Sequence, residues 1–277
     1  MPLGYRPDGD LVKDIGVTRR IMPLLMRKRN EAIVFFRQKL RVNNALQFLE
    51  EFRKKTGLKA TILHLYIYGA VQALSKRPRL NRFVSGGRIY QRRGIWISYS
   101  AKREKSDDHP VIVIKQEFKP EMSFAEIVSS VKETIATAKT SETHSEKELK
   151  FFFRFLPTPL LSLFARLVLW LDHLGLLPGF FIRPDPMFAS LFIANLGSLE
   201  MEAPFHHLYE YGNIPIFIAL GRIQPEVVVN EKGEIQVEPI LTVRYSFDER
   251  IEDGLYCAQS LEILRQYVEE PFKLIPF

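Results

Sequence analysis

The chain is poor in cysteine. Cys257 is the only one among 277 residues, so no internal disulfide can form, which suits a reducing compartment. It has no Gly-rich phosphate loop, no His-Glu-x-x-His and no Cys-x-x-Cys. Phosphate-loop chemistry and the common zinc frames are therefore without support, and no metal is expected. No apolar run opens the chain. Residues 1–16 carry Pro, Gly and acidic residues, which is not the pattern of a signal peptide. The most apolar stretch, Leu160 to Leu177, is interrupted by Arg166, Asp172 and His173, whereas a spanning helix needs about 20 mostly apolar residues. The basic runs Arg27-Lys28-Arg29 and Arg92-Arg93 are short and sit in no nucleic-acid-binding motif, so nucleic acid is not an expected partner.

The rest of the composition is that of a globular protein, with 46% hydrophobic and 26% charged residues. A chain of this length can bury a sizeable core unaided. The formal net charge of +7 fits a solvated basic surface, a polyanionic small ligand or an anionic membrane.

Periodicity places the elements. Ala32 to Phe36 is strand-like, and Asn44 to Lys55 reads as a helix with Leu46, Leu49 and Phe52 inward and Gly57 as its stop. Ala60 to Lys76 is a second, more apolar helix ending before Pro78, with Gly69 at a close-packing position and His64 as a satisfied core histidine. Strands follow at 88–101 and 111–118. Ser123-Phe124-Ala125-Glu126 is a capping box opening a helix to about Lys139. Further strands lie at 189–195 and 214–222, and a hairpin turns at Asn230–Gly233. Leu241, Val243, Tyr245 and Phe247 alternate with Thr242, Arg244, Ser246 and Asp248, a strand with one buried face, and a last helix follows Asp253-Gly254. The class is α/β, a mixed sheet with flanking helices.

The run Ser246-Phe247-Asp248-Glu249-Arg250-Ile251-Glu252-Asp253-Gly254 resembles the Ser-x-Asp-His-Arg-x-x-Asp-Gly motif of the 2-oxoacid dehydrogenase acyltransferases (E2), relatives of chloramphenicol acetyltransferase. Other segments agree in order. Thr18 to Met22 is similar to the family's opening helix, and Leu80-Asn81 to its Leu-Asn near the central strands. His109 to Ile114 resembles its Val-Val-Pro-Val-Ile strand, Phe192 to Ser198 its Phe-Thr-Ile-Ser-Asn-Leu-Gly, and Ile218 to Ile223 its Ala-Ile-Leu-Gly-Val-Gly-Arg. The resemblance implies a chloramphenicol-acetyltransferase-like domain over 18–277, after an extended leader at 1–17, with an apolar helical insertion at 140–189. It also implies a homotrimer, with the site between subunits.

The departures bear on function. In the family a histidine takes the proton from the thiol of coenzyme A or dihydrolipoamide, and a serine donates to the tetrahedral oxyanion. Here those positions are Glu249 and Ala194. Asn195 offers an amide, but strand alternation turns it to the other face. Asp253 resembles the family aspartate that pairs with an N-terminal arginine, here Arg19, and it stands where a helix begins. No lipoyl-bearing segment is expected. Coenzyme A or acyl-CoA is the implied substrate.

Two further features stay open. His206 and His207 lie in a loop as polar residues or catalytic replacements. As a metal site they are poor, because adjacent histidines on extended backbone point apart. In the apolar segment, Ser162, Arg166, Leu169 and His173 recur at helical spacing on an otherwise greasy helix flanked by phenylalanines. It reads first as a helical hairpin packed on its own domain or on a neighbouring subunit. Next come a cover for a fatty acyl ligand and, through 151–182, peripheral membrane contact. The expected function is a degenerate E2 homologue acting as oligomeric scaffold or hydrophobic-ligand binder, in the cytoplasm or at a membrane periphery. The rival is an acyl-CoA-dependent acyltransferase with Glu249 as general base.

Overall fold

The computed structural model describes residues 5–102, 111–140, 157–230 and 232–276. In chain order the described elements begin with β1 (Gly9–Leu11), α1 (Val17–Leu25), β2 (Ile33–Arg41), α2 (Asn43–Thr56) and α3 (Ile62–Lys76). Then come β3 (Arg82–Ser85), β4 (Arg88–Arg92), β5 (Ile95–Lys102), β6 (Val111–Phe118) and α4 (Phe124–Thr140). The C-terminal half holds α5 (Thr158–Leu174), α6 (Gly179–Ile182), β7 (Leu191–Asn195), β8 (Ile216–Val229), β9 (Ile235–Asp248), α7 (Gly254–Glu269) and α8 (Pro271–Leu274).

Six strands form one sheet in the order β2-β9-β8-β7-β5-β6, and β1-β4-β3 form a small second sheet. β7 runs parallel to both β5 and β8, while the other pairs are antiparallel, so the large sheet is mixed. Alternation along β9 decides its orientation. Leu241, Val243, Tyr245 and Phe247 join the main core with residues of α2, α3, α4 and α7. Within that core the Phe52 ring meets the edge of Phe124 at 4.8 Å. A Cβ at Gly69 would lie 3.0 Å from Leu264 Cδ1 and 3.1 Å from Tyr267 Cβ, so its missing side chain lets α3 close on α7. The opposite sheet face carries a smaller layer of Phe192, Phe217 and Ala219 beneath Ala203 and Leu208.

The described part of the leader is built into the fold. Leu11 pairs with Tyr90 on β4, and Arg6 is buried, with its guanidinium on Asp8, Ser85 and Asp172. His64 departs from the satisfied core histidine. Its Nδ1 accepts from Thr61 N at 3.1 Å in a capping box, but its buried Nε2 meets no partner among the described residues. Burial pushes its pKa down to about 4.

The apolar segment forms α5, in which no residue is fully buried. Its inner side is narrow. Val168 and Leu171 pack toward Leu177, Ile182 and Phe188. The Asp172 carbonyl accepts from Arg6 Nη1 at 3.0 Å and Ser85 Oγ at 2.9 Å. α5 therefore packs on its own domain along one side, and the expected alternative, packing on a neighbouring subunit, concerns the other. Of the insertion expected at 140–189, residues 141–156 lie outside the described residues. Leu163, Leu167 and Trp170 form an outward stripe, 64%, 47% and 57% exposed, which leaves a face that a neighbour could cover. Among the described residues no helix is long and apolar enough to cross a membrane.

Candidate functional site

The loop after β9 is held from several directions. Asp248 N donates to Pro215 O at 2.9 Å, and Glu249 N to Ala32 O at 3.0 Å. The Glu249 carbonyl accepts from Arg19 Nη1 at 2.6 Å. Arg250 grips Asp248 with both arms of its guanidinium, at 2.8 and 2.7 Å, and reaches Met26 O at 3.1 Å. Both members of that pair are buried. Glu252, also buried, gathers Arg82 at 3.2 Å, Arg79 at 3.3 Å and Arg19 at 3.8 Å. Asp253 caps α7, its Oδ1 accepting from Tyr256 N at 2.8 Å, where a carboxylate also meets the positive end of the helix. Arg19 Nη2 stands 3.9 Å from Asp253 Oδ2. The main arginine partner of this loop is therefore Glu252 rather than Asp253, which spacing alone did not reveal.

Glu249 differs from its neighbours. Its backbone is fixed on both sides, and its side chain is half-buried, yet the carboxylate has no hydrogen bond or ion pair among the described residues. Arg244 and Arg250, the two cations nearest in sequence, are engaged elsewhere. Arg250 holds Asp248, and the Arg244 guanidinium lies 4.7 Å over the Phe205 ring.

Ala194 lies on β7, paired with Ala219 on β8, which in turn faces Arg244 on β9. That register puts Ala194 five residues along the sheet from Glu249, about 17 Å at strand rise. One chain therefore does not bring the two positions together. Ala194 packs with the smaller apolar layer. Asn195 pairs with Leu220 on the other side of the pleat, and its carbonyl accepts from Ser198 Oγ.

The His206 and His207 rings do not point apart. They stack at 4.7 Å with an interplanar angle of 18°. The stack continues through Phe217, 4.0 Å from His206, to Phe192, 4.8 Å further. His206 Nδ1 approaches the His207 carbonyl, His207 Nδ1 approaches the Leu208 carbonyl, and Ser246 Oγ donates to the His206 carbonyl. Desolvation holds His206 below the usual histidine range. Neither imidazole hydrogen-bonds Glu249 or Asp253 among the described residues, and no cluster of three or more His, Cys, Asp or Glu able to hold a metal occurs among them.

The sequence profile of the 2-oxoacid dehydrogenases acyltransferase (catalytic domain) matches residues 187–275. No curated protein sequence matches the chain. Among solved structures, a probable dihydrolipoamide acetyltransferase from Listeria monocytogenes 4b F2365 shares 17% identity, covering 95% of each chain, with a TM-score of 0.61. The cubic core of the pyruvate dehydrogenase multienzyme complex shares 13% identity over 95% of this chain and 94% of that one, with a TM-score of 0.61. Chloramphenicol acetyltransferase shares 10% identity over 94% and 99%, with a TM-score of 0.51. The chain thus resembles the catalytic domain of the 2-oxoacid dehydrogenase acyltransferases, in its chloramphenicol-acetyltransferase-like fold over nearly the whole length and in sequence over residues 187–275.

Proposed function

We propose that this chain is an E2-type acyltransferase domain that has lost thiol acyl transfer and serves as a homo-oligomeric scaffold, with a trimer as its unit. The observation that carries the reading is the chemistry at two positions, a methyl group at Ala194 and a carboxylate at Glu249. A general base works best with a pKa near the operating pH, and glutamate starts near 4.3 where histidine starts near 6.5, on the order of two units too low. An anionic base would also raise the pKa of a thiol that ordinarily titrates near about 8.5. Losing one oxyanion donor costs roughly 10²–10³ in rate. Neither His206 nor His207 hydrogen-bonds Glu249 among the described residues, which speaks against a rebuilt base at this loop. Exposed apolar residues support association. Val17, Ile21, Leu24 and Leu25 recur along one side of α1 and are exposed, as is the α5 stripe. A related structure of this fold is a cubic core, so repeated copies are within its repertoire.

The test is an acyl-CoA screen with thiol, hydroxyl and amine acceptors, run beside sedimentation of the same sample. A trimer with no turnover above the blank is expected. Turnover in the wild type that Glu249→Gln removes sinks the scaffold reading. That result would favour the second reading, transfer from acyl-CoA to a hydroxyl or amine with Glu249 as base. One observation speaks for it: of the four acids between 248 and 253, Glu249 alone is without a side-chain partner among the described residues.

A further inference from the structure

A cleft of about 350 Å³ opens between the start of β5 and the turn after α6, with Arg92, Arg93, Lys115 and Arg183 in its walls against Asp8 and Glu117. Its charge is unbalanced. Asp8 is already shared among Arg6 at 2.9 Å, Asn213 at 2.7 Å and Arg92 at 3.7 Å. Asp185, the other acid that acts on Lys115, accepts from Met187 N and Tyr211. Arg93 at the rim is spent on Asp10. Glu117 is exposed and lies by Gly94 and the Trp96 indole nitrogen.

Three cations keep unused donors. Lys115 Nζ gives one hydrogen bond, to Ile182 O at 2.9 Å, of the three an ammonium can give. The exposed Arg183 guanidinium has no hydrogen bond or ion pair among the described residues. Arg92 is 5% exposed; its Nη1 stands 3.7 Å from Asp8 and its Nη2 donates to Asn213 Oδ1 at 2.6 Å, but its buried Nε meets no acceptor among the described residues. Burial and the nearby Arg92 together push the Lys115 pKa down to about 8. Of the three, Arg92 is buried and Lys115 partly so, and Asp8 offsets them only in part because Arg6 also holds it, so an anion in the cleft relieves the remaining repulsion.

We propose that this cleft binds a phosphate-class dianion, free or as the phosphoryl end of a larger molecule, held by Lys115 and Arg183 with Arg92 behind them. Donors arriving from separate elements suit a tetrahedral oxyanion, and guanidinium groups meet it with paired N–H groups. The Trp96 ring, 5.2 Å from Lys115 Nζ, gives a larger molecule a flat wall.

The test is calorimetry at pH 7.5 with inorganic phosphate and with phenyl phosphate, against chloride at matched ionic strength. Saturable one-to-one binding is expected that Lys115→Met weakens about tenfold or more, because a charge-assisted contact is lost. Arg183→Gln, on an exposed residue that the fold does not need, weakens it in the same direction, and Lys232→Ala in the distant hairpin leaves it unchanged. Binding of phosphate alone marks the free ion as occupant, and binding of both marks a phosphoryl end. No saturable binding, or binding indifferent to both Lys115→Met and Arg183→Gln, overturns the site.

Discussion

Arg250→Met tests whether the loop carrying Glu249 is locked by its buried ion pair. Asp248 and Arg250 are 1% and 2% exposed and share two hydrogen bonds. The same guanidinium reaches Met26 O and Arg27 O, tying the end of β9 to the segment after α1. Removing it strands Asp248 in the interior with a single N–H donor, from residue 250 itself. Breaking a buried pair from one side costs about 3–5 kcal/mol. The lower end applies here, since Arg29 lies close enough for its charge to feel Asp248. A chain of this size moves by roughly 2–4 °C in melting temperature per kcal/mol, so a fall of about 6–12 °C is expected at fixed protein concentration. Asp248→Asn with Arg250→Met removes the stranded charge and recovers a good part of the loss. Urea titrations of the wild type, both single variants and the double variant form the cycle. A loss below about 1 kcal/mol for Arg250→Met, or a double variant as unstable as the two losses summed, refutes the lock.

His64 titrates at about 4 in the folded chain and near 6.5 when unfolded, so its stabilising effect is whole above about pH 6.5 and drains as pH falls toward 4. Up to about 3 kcal/mol is at stake. His64→Gln, which keeps a capping-box acceptor, flattens that slope in urea titrations between pH 4.5 and 7. Burial pushes the Cys257 thiol up to about 12. A thiol reagent at pH 8 therefore leaves the native chain unlabelled and labels one site in denaturant. Gly86 turns with φ +57° directly under the His173 carbonyl, and a Cβ there would overlap that oxygen. Gly86→Ala releases the C-terminal end of α5, read as faster tryptic cleavage at Arg166 with the wild-type rate as reference.

Much of the fold is legible wherever local chemistry decides the outcome. The Ser123 and Glu126 box closes as spaced, at 2.8 Å between the side chains. α3 stops before Pro78, and the apolar residues of β9 all join the main core as their alternation implies, although Ser246 and Asp248 on the other face are buried too. What escaped depends on distant partners. β1 is three residues long and pairs with β4, some eighty positions on, so neither strand announces the small sheet. The stretch 88–101 reads as one strand, yet Gly94 at φ +72° breaks it into β4 and β5, which belong to different sheets. Arg6, Arg29, Arg92 and Arg250 are buried, although arginine ordinarily signals surface.

The site was legible only in part, for the same reason. Glu249, Ala194 and Asp253 stand out because the motif fixes their spacing. Glu252 collects Arg79 and Arg82 from the segment before and into β3, a meeting no local pattern encodes. The four-ring stack of His207, His206, Phe217 and Phe192 needs a loop folded back over the sheet. The cleft around Lys115 draws on β4, β6 and the turn after α6, and only the short Arg92-Arg93 run hinted at it.

The most direct measurement is transfer of an acetyl group from acetyl-CoA to dihydrolipoamide by the Glu249→His, Ala194→Ser double variant beside the wild type. If the frame is intact and only its chemistry has gone, the wild type is silent and the double variant turns over, with Glu249→His alone slower by roughly 10²–10³. A wild type that transfers the acetyl group at least as fast as the double variant would contradict the loss of function.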